Sequence, residues 1–303
     1  MLKPNEDCWC GSTRKYKNCH SRIDGAQGAQ KYIASQEVYA RNWAPTAEFH
    51  YKNGVYRWLS EQVADRAPKR ILDIGCGSGH GLLALREVLG ADVEIIAIDE
   101  NPACLAITQD NLRRHAGLTA SLIKRLTVSE TPLGYSQSAA ALEIADGAPV
   151  TLIESDVCND PALAAALQAT GPFDLVTNWL TGVHMLRQSN ADVRRSGVTS
   201  DGAHRLYVQN ATYELADTVL AAGGYLQIAD RGETPSNDLL IEDIRQAHNE
   251  QAAPTSLSVK AITHRVYDEP LSRRTPMGLT PGKLGLQSPG PSRSVISIVS
   301  TKA

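Results

Sequence analysis

The sequence predicts a mostly parallel α/β fold with a small metal-binding segment in front of it. Residues 70–81 read Arg-Ile-Leu-Asp-Ile-Gly-Cys-Gly-Ser-Gly-His-Gly, an apolar strand that runs straight into four alternating glycines. A second apolar strand, residues 93–98, ends at Asp99. Apolar runs of this length are typical of parallel strands that helices cover on both faces. We therefore expect a doubly wound sheet.

The glycine-rich turn after the first strand is the predicted ligand site. Glycine lets the backbone turn sharply and approach a bound molecule with no side chain in the way. Asp99 lies about 20 residues beyond the glycines, where an acidic side chain accepts hydrogen bonds from ribose hydroxyls. This spacing indicates an adenosine-type ligand.

Two other nucleotide-binding motifs do not fit the spacing. The dinucleotide fingerprint G-x-G-x-x-G would need a glycine at position 80, where the chain has His80. The chain also contains no G-x-x-x-x-G-K-[ST] run, the phosphate loop of nucleoside triphosphatases. An NAD-dependent oxidoreductase is therefore disfavoured.

The stretch 72–79 resembles the first motif of the class I S-adenosylmethionine-dependent methyltransferases, and the resemblance extends from about Ala47 to the C-terminus. It implies a Rossmann-like doubly wound sheet, mostly parallel with an antiparallel C-terminal strand, and S-adenosylmethionine as cofactor. The positions that match the family's cofactor contacts are Asp73, Gly75, Cys76, Gly77, Gly79, Asp99, Glu100, Asp156, Val157 and Asn178.

The resemblance also implies a role for each part of this set. Asp73 and the glycine backbone would hold the amino-acid half of the cofactor, and Asp99 the ribose. In residues 150–157 the Asp156 carboxylate would accept from the exocyclic amine of adenine, while the Val157 N–H would donate to the ring. Taken alone, Asp73 also suits a turn and Asp156 also suits a helix N-cap.

The fourth strand, residues 173–180, matches the family strand whose carboxyl end faces the transferred methyl group. Asn178 and Trp179 are then nearest to the chemistry. A general base is needed only if the acceptor arrives protonated, and His184 is the best candidate, ahead of Tyr207 and His204. A loop histidine without chemistry is the alternative for His184. The strand lacks the Asn/Asp-Pro-Pro-aromatic motif of enzymes that methylate the adenine amine in DNA.

The N-terminal segment holds three cysteines and a histidine within thirteen positions: Cys8, Cys10, Cys19 and His20. Zinc prefers four tetrahedral ligands drawn from thiolate and imidazole groups. The run resembles the SEC-C zinc module, with Thr13-Arg14 where that family often has Gly-Lys. A disulfide is the less favoured alternative, because C-x-C thiols pair poorly and no secretory signal precedes them.

Composition favours one catalytic domain with a small appendage. The chain has 303 residues, of which 42% are hydrophobic, so it can bury a substantial core. The expected division is a zinc motif at 1–24, a helical linker or cap at 25–68 and the methyltransferase domain at 69–303. A net charge of -3 does not indicate nucleic-acid binding, and no apolar run reaches the length of a membrane span. We expect a cytoplasmic protein.

The segments between these motifs predict the remaining elements. Helices are expected over 29–66, with a break at Ala44-Pro45, and after the Asn101-Pro102 and Asp160-Pro161 pairs. The aromatic side chains of the first region, Tyr39, Trp43, His50 and Tyr51, suit either a cofactor lid or the core. Further segments are an insertion at 117–149, helices at 202–221 and 236–249, strands at 223–230, 258–267 and 294–300, and a loop at 270–291.

The sequence does not identify the methyl acceptor. We expect a small molecule or peptide that is methylated on oxygen or nitrogen. The predicted acceptor site lies between residues 178–184, 185–205 and 270–291. Arginines there suit an acidic group on the acceptor: Arg187, Arg194, Arg195, Arg273 and Arg274. The alternative is a protein that binds a protein or ribosome partner through its zinc motif and only senses the cofactor.

Overall fold

The computed structural model describes residues 2–8, 14–145, 147–182, 186–267 and 292–303. Ten strands form an eight-stranded sheet and a separate two-stranded hairpin within these ranges. The strands of the sheet are β1 Arg70–Ile74, β2 Glu94–Asp99, β3 Ser121–Ile123, β6 Val150–Glu154, β7 Phe173–Trp179, β8 Leu220–Glu233, β9 Leu257–Val266 and β10 Arg293–Lys302; the hairpin is β4 Leu126–Thr131 with β5 Gly134–Ala139.

The sheet has the strand order β3-β6-β2-β1-β7-β8-β10-β9. Strand β10 runs antiparallel to both of its neighbours, β8 and β9, whereas the other neighbouring pairs are parallel. The predicted Rossmann-like doubly wound sheet, mostly parallel with an antiparallel C-terminal strand, is confirmed. The predicted C-terminal strand pair is β9 and β10.

Helices cover both faces of the sheet, as the apolar strands require. Ile71 and Ile95 lie in the core on one face, while Leu72 and Ile96 lie in the core on the other, because successive side chains of a strand point to opposite faces. The helices are α1 Ser21–Asp24, α2 Gly28–Lys52, α3 Val55–Glu61, α4 His80–Leu89, α5 Pro102–Ala116, α6 Leu163–Ala169, α7 Ala191–Arg195, α8 Asp201–Val219 and α9 Asp238–Ala252.

The two predicted helix starts before proline have different outcomes. Asn101 caps α5, and its side chain accepts from the backbone N–H of Ala103, as expected of an N-cap. The Asp160 prediction is wrong, because α6 begins only at Leu163. The Asp160 carboxylate accepts from the Ala162 N–H at 3.2 Å and from the Ser155 hydroxyl at 2.6 Å, and it also pairs with the buried Arg125.

The predicted break at Ala44-Pro45 is also wrong, since α2 continues through Pro45 to Lys52. A proline inside a helix removes one backbone hydrogen bond and crowds the preceding turn. Buried side chains on both sides of Pro45, among them Ala40 and Ala47, fix the direction of the helix. Tertiary packing therefore outweighs the tendency of proline to interrupt a helix.

The segment predicted as an insertion lies between α5 and β6 and adds structure beside α2. Strand β3 extends the edge of the sheet, and the β4–β5 hairpin packs on the N-terminal half of α2. There the rings of Tyr32 and Tyr135 stack with their centroids 4.0 Å apart. Within the described residues, no helix combines the length and apolar character that a membrane span requires.

Candidate functional site

A cavity with about 940 Å³ of space, its open mouth included, lies at the carboxyl ends of β1, β2, β6 and β7. The carboxyl edge of a parallel sheet is where small-molecule sites form in such folds. Eight of the ten predicted cofactor residues line the cavity: Asp73, Gly75, Cys76, Gly77, Asp99, Glu100, Asp156 and Val157. Their contacts with a cofactor stay predictions.

The other two predicted residues support the cavity without lining it. Asn178 is 1% exposed, and its side-chain amide donates to the Ile74 carbonyl at 3.1 Å, which ties β7 to the end of β1. Gly79 has a positive φ of 78° and packs so closely on α5 that a Cβ there would lie 2.7 Å from the Thr108 methyl carbon. The predicted segments therefore meet at the cavity, although two of the ten predicted side chains do not line it.

The glycine loop is held open by the carboxylate of Asp99. One oxygen of Asp99 accepts from the Gly77 N–H at 2.9 Å and the other accepts from the Asn101 N–H at 2.8 Å. Gly77 has a positive φ of 57°, and a Cβ there would lie 2.8 Å from the Trp43 indole nitrogen. Glycine is thus required at position 77 both by its backbone conformation and by the side chain that covers it.

Three carboxyl groups around the loop, of which Asp73 is buried and Asp99 and Glu100 are largely buried, have raised pKa values. Burial raises the pKa of Asp73 to about 7, of Asp99 to about 6 and of Glu100 to about 7, because a buried site disfavours the charged form. The Thr177 hydroxyl, which donates to Asp73 at 2.5 Å, opposes the shift there. These groups change charge close to neutral pH.

Arg187 connects two of the acidic residues at the far end of the cavity. It is 1% exposed, its guanidinium donates to Asp156 at 2.6 Å and to Gln137 at 2.9 Å, and it forms an ion pair with Glu100. Burial alone would raise the pKa of Asp156, but the charge of Arg187 acts together with hydrogen bonds from Arg187, Asn159 and the Cys158 N–H to hold that pKa below its usual value. Arg187 thus already pairs with two carboxyl groups of the chain, and its contact with an acidic acceptor stays a prediction.

Replacing Arg187 with methionine should destabilise the fold strongly. Asp156 would then keep a buried charge without its cation, and breaking a buried ion pair in this way costs about 3–5 kcal/mol. Arg195→Met is the matched control, because that side chain is 73% exposed in its pair with Asp192. Urea unfolding of both variants measures the difference, and equal losses would contradict the role assigned to Arg187.

Helices α2 and α3 cover the cavity with aromatic side chains. Tyr39 and Trp43 from α2 line it together with Tyr56 and Trp179. A Cβ added at Gly182 would lie 2.1 Å from the Tyr39 hydroxyl, so the helix closes tightly on the segment after β7.

The remaining aromatic candidates of the lid region lie elsewhere. His50 is buried against Tyr267, with ring centroids 5.2 Å apart, and Tyr51 donates to Glu87 on α4. Neither lines the cavity. Of the four aromatic residues expected there, two therefore line the cavity and two pack beside it.

The candidate base residues have different outcomes. His184 lies outside the described residues, as do Arg273, Arg274 and the predicted loop 270–291. Tyr207 lies on α8 with its ring beside His204. His204 lines the cavity and contacts Arg187.

A second cluster of chemical groups lies at the N-terminus. The Nδ1 atom of His20 is 3.1 Å from the Cys8 sulfur and 3.2 Å from the Cys19 sulfur, and all three residues are buried. Their ligand atoms lie within 4.8 Å of one another, a spacing that fits one tetrahedral ion with bonds of about 2.0–2.3 Å. Cys10, the fourth predicted ligand, lies outside the described residues.

The N-terminal cluster packs against helix α2. Cys8, Cys19, Tyr16 and Ile23 form a small core with Val38 of α2. The side chains that pack against this core from outside include Leu186, which directly precedes Arg187. The N-terminal segment therefore packs against α2, which helps to enclose the cavity, and beside Arg187.

Two family models match the chain, and their positions agree with this geometry. Residues 65–124 match a model described as a methyltransferase domain, which spans the glycine loop, β2 and α5. Residues 5–22 match the SEC-C motif. Comparison with curated protein sequences gives no match.

Several solved structures resemble this one at low sequence identity. TrmN from Thermus thermophilus has 14% identity and a TM-score of 0.44; the match covers 82% of this chain and 48%, about half, of that one. The N-methyltransferase NodS from Bradyrhizobium japonicum WM9, solved with S-adenosyl-L-homocysteine, has 9% identity and a TM-score of 0.44, covering 83% and 87%. The O-methyltransferase from Bacillus cereus, also solved with that ligand, has 14% identity and a TM-score of 0.38, covering 80% of each chain.

Proposed function

We propose that this chain, a class I methyltransferase-type domain preceded by a SEC-C motif, transfers a methyl group from S-adenosylmethionine to an oxygen or nitrogen atom of a small molecule or peptide. The observation that carries the proposal is the glycine loop anchored on Asp99, with Asp73 at one end of the cavity and Asp156 at the other. Acidic groups at both ends and an open backbone between them suit an amino acid joined to a nucleoside.

Each part of the cavity would hold one part of the cofactor. The Asp73 carboxylate suits the ammonium group, and the backbone of Gly75 and Gly77 leaves room for the amino-acid half. Asp99 and Glu100 suit the ribose hydroxyls, and Asp156 with the Val157 N–H suits adenine. When bound, the sulfonium supplies the methyl group for an in-line displacement, and the chain's task is to position the acceptor behind it.

The aromatic side chains would exclude water from the reacting atoms. Trp43 covers the glycine loop, Tyr39 packs on Gly182 after β7, and Trp179 lies at the end of β7, the strand that faces the methyl group in the family. Exclusion of water strengthens the electrostatic contacts inside the site and prevents side reactions. His184 stays the proposed base for an acceptor that arrives protonated.

Affinity for S-adenosylhomocysteine should increase as the pH rises from about 5.5 to 8. Ribose hydroxyls and an ammonium group donate to ionised carboxylates, and the pKa values of Asp73, Asp99 and Glu100 are about 7, 6 and 7. Binding favours the ionised forms, so protons are released in this window. Calorimetry at pH 6.5 in buffers of different ionisation enthalpy measures this release; proton uptake would contradict the assignment.

We also propose that Cys8, Cys10, Cys19 and His20 hold one structural zinc ion. Three of the four ligands converge in the structure, and a closed set of thiolate and imidazole ligands leaves no position for catalysis. Zinc thiolates persist where thiols stay reduced, which supports a cytoplasmic location. A protein or ribosome partner that docks on this motif stays a proposal.

Turnover separates the two functional hypotheses. The protein is incubated with S-adenosylmethionine and fractions of small molecules and peptides from a cell extract, and release of S-adenosylhomocysteine is measured. A methyltransferase gives release that depends on one fraction and disappears with Asp99→Ala. A protein that only senses the cofactor binds it but gives no release with any fraction.

A further inference from the structure

His204 stands out among the cavity residues because it is buried and contacts a permanent cation. It lies on α8, is 3% exposed, and lines the cavity together with Val208 one turn further along the helix. The Nε atom of Arg187 donates to His204 Nε2 at 3.2 Å, and the same guanidinium donates to Asp156. His204 therefore lies at the Asp156 end of the cavity.

The contact with Arg187 fixes the protonation state of the histidine ring. The Nε atom of arginine carries a hydrogen and never accepts, so His204 Nε2 must present its lone pair. Burial, with the charge of Arg187 adding to it, lowers the pKa of His204 to about 4, so the ring is neutral near pH 7. A neutral ring whose Nε2 accepts has its proton on Nδ1.

His204 Nδ1 is consequently an N–H donor, and it has no hydrogen-bond partner among the described residues. A buried donor without a partner costs about 1–3 kcal/mol. The role of general base considered for His204 does not fit, because the nitrogen that is not engaged by Arg187 already carries the proton. A ligand in the cavity that offers an acceptor would remove the cost.

We propose that His204 is a specificity-determining residue that donates through Nδ1–H to a ring nitrogen of the adenine of the cofactor, with Arg187 as the positioning residue that fixes its tautomer. The inference rests on the proposed function. A carboxylate acceptor on Asp156 and an N–H donor on His204 match the amine and the ring nitrogens of adenine. Hypoxanthine would present a carbonyl acceptor to Asp156 in place of the exocyclic amine.

Two substitutions of His204 separate the hydrogen bond from packing. His204→Leu removes the donor, and we expect its affinity for S-adenosylhomocysteine to decrease about tenfold or more, as for loss of one buried hydrogen bond. His204→Asn keeps an amide N–H near the position of Nδ1 and should recover most of the affinity. Calorimetry gives the affinities, and thermal unfolding of the ligand-free variants shows whether each one folds.

Ligand analogues test the same hydrogen bond by removing its acceptor from the ligand. In 1-deaza-, 3-deaza- and 7-deaza-S-adenosylhomocysteine, one ring nitrogen at a time is replaced by C–H. For wild-type protein, the analogue that lacks the nitrogen bound by His204 should bind about tenfold more weakly than the parent ligand, and His204→Leu should bind that analogue and the parent ligand equally. A penalty from loss of the Val157 N–H contact should instead persist in His204→Leu. The comparison of the analogues in wild-type protein does not need the variant, so it can be made even if His204→Leu does not fold.

Two results would overturn the inference. One is unchanged affinity of His204→Leu for S-adenosylhomocysteine, and the other is a set of deaza penalties that His204→Leu shares with wild-type protein. Failure of the wild-type protein to bind S-adenosylhomocysteine is a different outcome, because it rejects the proposed function as well. Binding by wild-type protein without any effect of His204 rejects only the inference.

Discussion

Asp99→Ala should weaken S-adenosylhomocysteine binding by about 3 kcal/mol, a factor of about 100 or more. The loss has two sources, because the carboxylate suits the ribose and also holds the glycine loop. Removing it leaves the N–H groups of Gly77 and Asn101 without their acceptor, so the loop is expected to relax from the conformation that receives the ligand. Calorimetry of the variant measures the change.

Control variants separate the expected ribose contact of Asp99 from its support of the glycine loop. Asp110→Ala removes an aspartate from the surface of α5, where it pairs with Arg113 and Arg114, and should leave affinity unchanged. Asp99→Asn keeps a side-chain oxygen for one backbone N–H but no charge, and should bind with intermediate affinity. Wild-type affinity in Asp99→Ala would show that the ligand does not contact this end of β2.

Removal of zinc should unfold the N-terminal segment and leave the sheet intact. The core around Cys8, Tyr16 and Cys19 is too small to fold alone, and zinc binding in comparable peptides contributes about 10–16 kcal/mol. Hydrogen exchange after chelation should show loss of protection at the amides of Cys8 and Cys19, which donate to Arg14 and Tyr16. The amides of β1 and β2 should keep their protection from hydrogen exchange.

A matched pair of cysteine variants checks that the effect comes from the metal. Cys8→Ser should reproduce the result of chelation and reduce the zinc content below one ion per chain. Cys158→Ser changes a cysteine that lies outside the metal cluster and should keep both zinc and protection. Protection of the N-terminal amides in metal-free protein would contradict the zinc assignment.

Features that depend on local patterns were predictable from the sequence. Residues 70–81 specify a strand, a turn and a helix start within one short run, and β1 with α4 follows from them. The acidic residues at the ends of β2 and β6 were placed correctly in the cavity, because parallel strands bring their carboxyl ends to the same edge of a sheet.

Features that depend on distant pairs were not predictable. The Arg187 network joins Glu100, Asp156 and Gln137 from three separate elements, and no spacing in the sequence signals their meeting. The course of α2 through Pro45 likewise depends on tertiary packing, which overrides the local preference of proline. The role of His204 required the position of Arg187, so residue type alone indicated only a candidate base.

The most direct measurement is a calorimetric titration of the zinc-loaded wild-type protein with S-adenosylmethionine, S-adenosylhomocysteine and NAD. We expect binding of one equivalent of each sulfur ligand and no binding of NAD, because the positions of Asp73, Asp99 and Asp156 suit a single nucleoside joined to an amino acid. Equal affinity for NAD, or no heat with either sulfur ligand, would contradict the proposed cofactor.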